Sequence, residues 1–218
     1  MTLGILIMAR APRPGEVKTR LEPLLGPEGC ARLQAELIWH SARWAAACAQ
    51  KCWLAYSPAY AREALAHLVP ANVGLFAQEG GDLGVRLRHA TGHVFRTHRG
   101  GLAVIGTDAP ELGPEHLRRA ERELARGQDA CLIPAMDGGY ALIALARPLA
   151  HAFGLPAAAW GGPTVLDLTI TMLKEAGCSW SVLEPVRDLD IPDDARYLAA
   201  NAHCPTAIRD VLTPARAI

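Results

Sequence analysis

Seven short apolar runs, most of them separated by a helical stripe, constrain the fold of this 218-residue chain more than any other feature: residues 3–8, 52–56, 73–78, 102–106, 131–134, 140–145 and 180–183. The first lacks the polar alternation of a half-solvated strand and reads as a strand buried on both faces. Behind Pro27, the residues Leu33, Leu37, Trp44 and Cys48 recur near helical spacing; proline suits an early helix position, where its missing N–H costs nothing. Further helices are expected over 60–68, 85–96, 114–126, 163–176 and 193–200, while the pattern leaves 201–218 open. Such alternation predicts an α/β fold with a largely parallel sheet covered by helices on both faces. The length suits one domain, and no linker, repeat or low-complexity tract divides it.

Charge narrows the function. The chain balances 22 basic against 22 acidic residues, so no general field draws it to nucleic acid or a membrane, and any anion must be held by local groups. The apolar segment 3–9 is too short to span a bilayer and is followed by Arg10 and Arg13, so neither a transmembrane segment nor a signal peptide is expected, and the location is read as cytoplasmic. The six cysteines have no paired metal-ligand spacing and are expected as small buried thiols. Oligomeric state is not legible.

Several strand-to-loop junctions carry candidate chemistry. The loop after the first strand holds Arg10, Gly15, Lys18 and Arg20 with two prolines. A mobile ammonium, a planar guanidinium and a glycine that lets the backbone bend toward an anion suit neighbouring phosphates; a solvated basic loop is the alternative. Asp108 directly follows the 102–106 strand and is positioned to hold a divalent ion against phosphate oxygens. Asp188 and Asp190 share a side if their segment stays extended, although a helix cap leading into Pro192 also fits. In the 78–87 stretch, Gln78, Gly81, Asp82 and Arg86 are candidates for base, ribose or anion contact, against a reading in which Asp82 merely caps the helix and Arg86 pairs with Glu79. Asp137, Gly138, Gly139 and Tyr140 join two strands where an acceptor could approach, with Asp137 a candidate base or a plain turn residue. Trp160 and Thr164 precede a helix and suit an acceptor or a cap equally.

Taken in order, the stretches 7–21, 78–87, 106–110, 134–140 and 188–194 resemble the DUF2064 family of bacterial glycosyltransferase-like proteins, relatives of arsenosugar-biosynthesis and radical-SAM-associated transferases. The resemblance covers residues 3–198. It implies a GT-A-like fold, a Rossmann-like, mostly parallel mixed sheet, forming one nucleotide-diphospho-sugar transferase-like domain over 1–218. It further implies that Lys18 and Arg20 contact nucleotide phosphates, that residues 81–86 line the nucleotide side, and that Asp108 binds the metal. Asp190, with Asp188 as a further candidate ligand, would complete the metal or transfer site, and residues 137–140 would face the sugar or acceptor. Where the family commonly continues with a second tyrosine this chain has Ala141, and its Trp-Ser-Thr stretch is Trp160-Gly161-Gly162 here.

The expected function is Mg²⁺- or Mn²⁺-dependent transfer of a sugar from a nucleoside-diphosphate sugar to a small-molecule acceptor, with Asp108, Asp137 and Asp190 as the catalytic set. Two alternatives stand beside it: nucleotidyl transfer from a nucleoside triphosphate to a phosphorylated acceptor with release of pyrophosphate, and non-catalytic nucleotide binding. Fold analogy does not choose among them.

Overall fold

In the computed structural model, which describes residues 3–213, the apolar runs become the strands of one seven-stranded sheet. These are β1 (Gly4–Arg10), β2 (Cys52–Ser57), β3 (Val73–Ala77), β4 (Leu102–Ile105), β5 (Ala130–Pro134), β6 (Tyr140–Leu145) and β7 (Trp180–Val182). Their spatial order is β3-β2-β1-β4-β6-β5-β7. All pairings are parallel except those of β6, which runs against both β4 and β5. The five-residue connection from β5 to β6 is too short for a parallel crossover and forces the reversal. Strand order turns back between β1 and β4, the kind of switch point at which the carboxyl ends of an open α/β sheet leave a crevice.

Period-two alternation sorts the strands' side chains into two cores. Leu3, Ile5, Ile7, Ala103 and Ile105 face α1 (Glu22–Cys48) and α4 (Pro114–Ala125), where they meet Ile38, Ala42, Leu117 and Ala120. Leu6, Leu102 and Val104 face the other way, onto Leu87 and Val94 of α3 (Leu83–Phe95) and Leu173 of α5 (Val165–Glu175). Burial of β1, β4, β5 and β6 on both faces therefore accounts for their continuous apolar runs.

Element bounds move slightly from those expected. The first helix begins at Glu22, but Gly26, at φ +67° and ψ 169°, breaks it, and the long regular portion follows Pro27. The 60–68 helix is a 3₁₀ turn (Ala59–Ala61) followed by the short α2 (Arg62–Ala66), which ends ahead of Pro70. Beyond α6 (Pro192–Ala200), the undecided tail contains α7 (Thr206–Leu212); residues 214–218 lie outside the described residues. A third apolar cluster joins Leu33 and Leu37 of α1 to Leu198 of α6 and Ile208 of α7, and takes in Leu21 and Leu189 from the loops beside the sheet edge. The six cysteines are free thiols, five of them buried. Among the described residues no helix is long and apolar enough to cross a membrane.

Candidate functional site

The loops after β1, β4 and β7 all leave the sheet at one edge. Because β6 is reversed, its first residue, Tyr140, and the preceding 135–139 turn lie at that edge too. Their backbones are tied together: Leu189 N–H donates to Asp108 O at 2.8 Å, and Val186 N–H donates to Pro134 O at 2.9 Å.

At the centre is Lys18, the one non-glycine residue with positive φ (50°) among the described residues. Its Nζ donates to Leu189 O at 2.7 Å and to Asp190 Oδ1 at 3.0 Å, and it forms a close ion pair with Asp108. Only 5% of the side chain is exposed. An ammonium has three N–H donors, and three acceptors engage them. Burial works to lower the lysine pKa, but the nearby charges of Asp108 and then Asp190 outweigh it and hold the group above its ordinary value. The mobile point charge expected from the sequence is therefore a fixed internal counter-ion, because its neighbours from two distant loops capture it.

Leu189 is buried in the third apolar cluster, so the extended segment turns its neighbours Asp188 and Asp190 the other way. There they meet Asp137, and one carboxylate oxygen from each of the three lies within 4.8 Å of the others. Asp108 is not one of this trio; it is joined to the site through Lys18. Burial, followed by the charges of Asp137, Asp190 and Asp194, raises the carboxyl pKa of Asp188. The helix-capping role open to this segment falls to Asp194, whose Oδ2 accepts N–H bonds from Asp190 and Ile191 at 3.2 and 3.1 Å. Its Oδ1 takes the Arg187 guanidinium at 2.9 Å.

Two cavities flank these carboxylates and share Asp108, Asp190 and Met8. One, about 280 Å³, is lined by Arg10, Lys18, Arg20 and Gln34. Arg10 and Arg20 are exposed, while Gly15, at φ +74°, sits at an exposed bend and does not line it. Gln34 went unnoticed in the sequence, although a polar residue beside Leu33 in the buried stripe was the available signal. It is 3% exposed and donates to Arg10 O at 3.1 Å and to Thr107 Oγ1 at 3.2 Å, pinning the loop after β1 to the loop after β4.

The other cavity, about 340 Å³, is bounded by the carboxylates on one side and by Met8, Leu83, Leu87, Tyr140 and Trp160 on the other. Met8, Leu83 and Leu87 carried no signal beyond that of ordinary core residues. Two glycines make close approaches here. A Cβ on Gly138, at φ +93°, would lie 2.1 Å from Pro163 O, and one on Gly84 would lie 2.6 Å from Trp160 Nε1. Gly138 thus docks the Asp137 turn against the 161–164 loop, and Gly84 admits Trp160 to the cavity wall. Gly139 lines the cavity, and its N–H donates to Asp137 Oδ1 at 2.8 Å. Thr164 is exposed, lines neither cavity, and makes no side-chain cap on α5.

The polar candidates of the 78–87 stretch make contacts within the chain. Gln78 Nε2 donates to Ala9 O and Ala55 O at 3.1 and 2.8 Å, clamping the ends of β1 and β2. Asp82 caps α3 by accepting from Val85 N–H at 2.9 Å. Arg86 Nε donates to Gly80 O at 3.0 Å rather than pairing with Glu79, which instead lies 3.6 Å from His89. Gly81 is exposed. None of these four residues lines either cavity, because the backbone already occupies their polar groups or they point outward.

Comparison with known proteins places this geometry. Residues 41–161, more than half of the chain, match the model of a family described as an uncharacterized protein conserved in bacteria, DUF2064. A crystal structure from Desulfovibrio desulfuricans G20, provisionally described as a nucleotide-diphospho-sugar transferase, is similar at TM-score 0.85 with 27% identity, covering 97% of this chain and 94% of the other. At 13% identity, a CMP:2-keto-3-deoxy-manno-octonic acid synthetase complexed with CTP matches at TM-score 0.59, over 91% of this chain and 97% of its own. A nucleotidyl transferase from Methanothermobacter thermautotroptrophicus matches at 0.58 with 17% identity, over 90% and 95%. These last two share the fold. No curated protein matches the chain.

Proposed function

We propose that this chain, which belongs to the bacterial DUF2064 family, is a divalent-metal-dependent transferase that moves a sugar from a nucleoside-diphosphate sugar to a small-molecule acceptor. The observation that carries this reading is the carboxylate trio Asp137, Asp188 and Asp190, which lines a cavity with an apolar wall and, through Asp190, a second cavity with cationic residues. The similarity to a structure described as a nucleotide-diphospho-sugar transferase supports it.

The donor set fits Mg²⁺ or Mn²⁺. Carboxylate oxygens are the ligands these hard cations favour. The site also carries surplus negative charge: Lys18 serves Asp108 and Asp190, while Asp188 has its carboxyl pKa pushed up by burial and then by its acidic neighbours. Asp137, Asp188 and Asp190 would hold the ion. When bound, it would supply Lewis-acid stabilisation of charge on the diphosphate leaving group.

The chain's own residues divide the remaining work. Arg10 and Arg20 are the exposed cations beside the phosphate-side cavity and would orient the diphosphate. Lys18 holds the loops after β1, β4 and β7 in register. Asp108, 54% exposed at its side chain, keeps a solvent-facing carboxylate beside both cavities, where it can accept a proton from an acceptor hydroxyl.

Product analysis tests the reading. With Mn²⁺, a panel of sugar nucleotides and an acceptor panel, sugar transfer releases nucleoside diphosphate. Pyrophosphate released from nucleoside triphosphates, with no turnover of sugar nucleotides, would assign nucleotidyl transfer instead. Tight nucleotide binding without turnover of either would leave a binding protein.

A further inference from the structure

The acceptor-side cavity is unusual in what its wall lacks. Its charged lining groups are Asp108, Asp137, Asp188 and Asp190, and among the described residues no lysine, arginine or histidine lines it. Lys18, the ion-pair partner of Asp108 and Asp190, is buried against them and lines the other cavity. A divalent ion held by the trio would still leave one of the four negative charges uncompensated, and a donor diphosphate would add more. A phosphate or carboxylate on the acceptor would therefore be repelled by this wall, with no guanidinium or ammonium to receive it.

The rest of the lining is apolar beyond what its residue types suggest. Tyr140 and Trp160 both carry polar atoms, yet the Tyr140 hydroxyl and the Trp160 indole nitrogen are buried away from solvent. What these two rings offer the cavity is carbon, alongside Met8, Leu83 and Leu87. A volume of about 340 Å³ lies at the small end of ligand pockets. From these features we infer that the acceptor is an uncharged hydroxyl compound with an apolar ring or chain, its carbon face against Trp160 and Tyr140 and its hydroxyl toward the carboxylates. This rests on the reading that the edge is a transfer site, and it disfavours the phosphorylated acceptor that nucleotidyl transfer would require.

Matched probes test it: 2-phenylethanol, 2-phenylethyl phosphate and 2-phenylethylamine share a ring and differ in charge. Saturation-transfer NMR on the full chain with Mg²⁺ is expected to show 2-phenylethanol bound and displaceable, with at least a tenfold loss of affinity in Trp160→Ala. The phosphate should be silent on wild type and gain binding in Leu83→Arg, a change at a 42%-exposed residue of the cavity lining. Tighter binding of the phosphate to wild type would overturn the inference. Preference for the amine would overturn it in favour of a cationic acceptor, and silence from all three probes would also overturn it. Calorimetry of nucleoside diphosphates with Mn²⁺ on the same samples reports the donor reading separately. Alcohol binding without diphosphate binding would sink the donor reading alone; diphosphate binding with a preference for the phosphate probe would sink the acceptor inference alone.

Discussion

Nζ of Lys18 lies 3.0 Å from Oδ1 of Asp190, a residue 172 positions further along the chain. The same ammonium pairs with Asp108, so a single buried cation joins the loops after three strands. Lys18→Met should leave two carboxylates without their counter-charge. The expected loss is about 1–3 kcal/mol, moderated because Asp108 and Asp190 reach solvent. The folded-state pKa of Lys18 is raised, so its stabilisation is fully present below the ordinary value of 10.5 and lost as pH rises through the higher folded value. Urea unfolding should separate wild type from variant at pH 8 and bring them together in strongly alkaline solution; a constant gap across that range would mean the lost contacts are not ionic.

Substitution at Asp188 should have the opposite consequence at neutral pH. Burial and acidic neighbours raise its folded pKa, so its favourable contribution is confined below the ordinary value of 3.8 and, as for Lys18, is lost as pH rises through the folded value. Asp188→Asn is therefore expected to be more stable than wild type at pH 7 in EDTA, yet to gain less stability from Mn²⁺. Denaturation curves with and without the metal check both halves. Equal Mn²⁺ stabilisation in the two proteins would remove Asp188 from the ligand set.

Asp108 and Asp190 should separate under mutation. Asp190→Ala removes a member of the trio as well as a Lys18 partner, whereas Asp108→Ala leaves the trio intact. Mn²⁺ affinity, read by electron paramagnetic resonance, should fall at least tenfold in the first and much less in the second, while transfer activity falls in both. The reverse ranking of affinities would restore Asp108 as the principal ligand.

With all three ammonium donors of Lys18 occupied, the exposed Arg20 becomes the cleaner test of phosphate binding. Arg20→Met should weaken nucleoside diphosphate by about 1 kcal/mol, a modest figure because the guanidinium is solvated, and leave the uncharged nucleoside unaffected. Calorimetry with nucleoside, monophosphate and diphosphate would show it. An equal loss for all three ligands would assign Arg20 a structural role.

Gly138 holds the Asp137 turn in place. A Cβ there would overlap the Pro163 carbonyl, and the φ of +93° disfavours any side chain. Gly138→Ala should cost at least about 1–3 kcal/mol from the backbone conformation alone and lower Mn²⁺ affinity by displacing Asp137. Unchanged stability and metal affinity would mean that the 135–139 and 161–164 loops separate freely.

Periodicity located the strands and all the helices but α7 from sequence alone, because it encodes which side of each element is buried. The sequence also placed Asp108 at the end of a buried strand, and it offered Asp188 and Asp190 on one side only if their segment stayed extended, a condition that the burial of Leu189 meets. Strand order was not legible, since backbone pairing of β4 with β6 leaves no mark on composition. The short 135–139 turn reverses β6, and that reversal brings Asp137 and Tyr140 to the carboxyl edge of the parallel strands. Tertiary contacts engage polar groups whose partners residue type alone leaves open. Lys18 has the chemistry of a phosphate ligand and Gln78 that of a base contact, yet carboxylates engage the first and backbone carbonyls the second. The partners of Lys18 lie in two distant loops and those of Gln78 in two strands, which meet only when the sheet assembles, so local spacing could not reveal them: a side chain's type sets which bonds it can make, and packing decides which of them it makes.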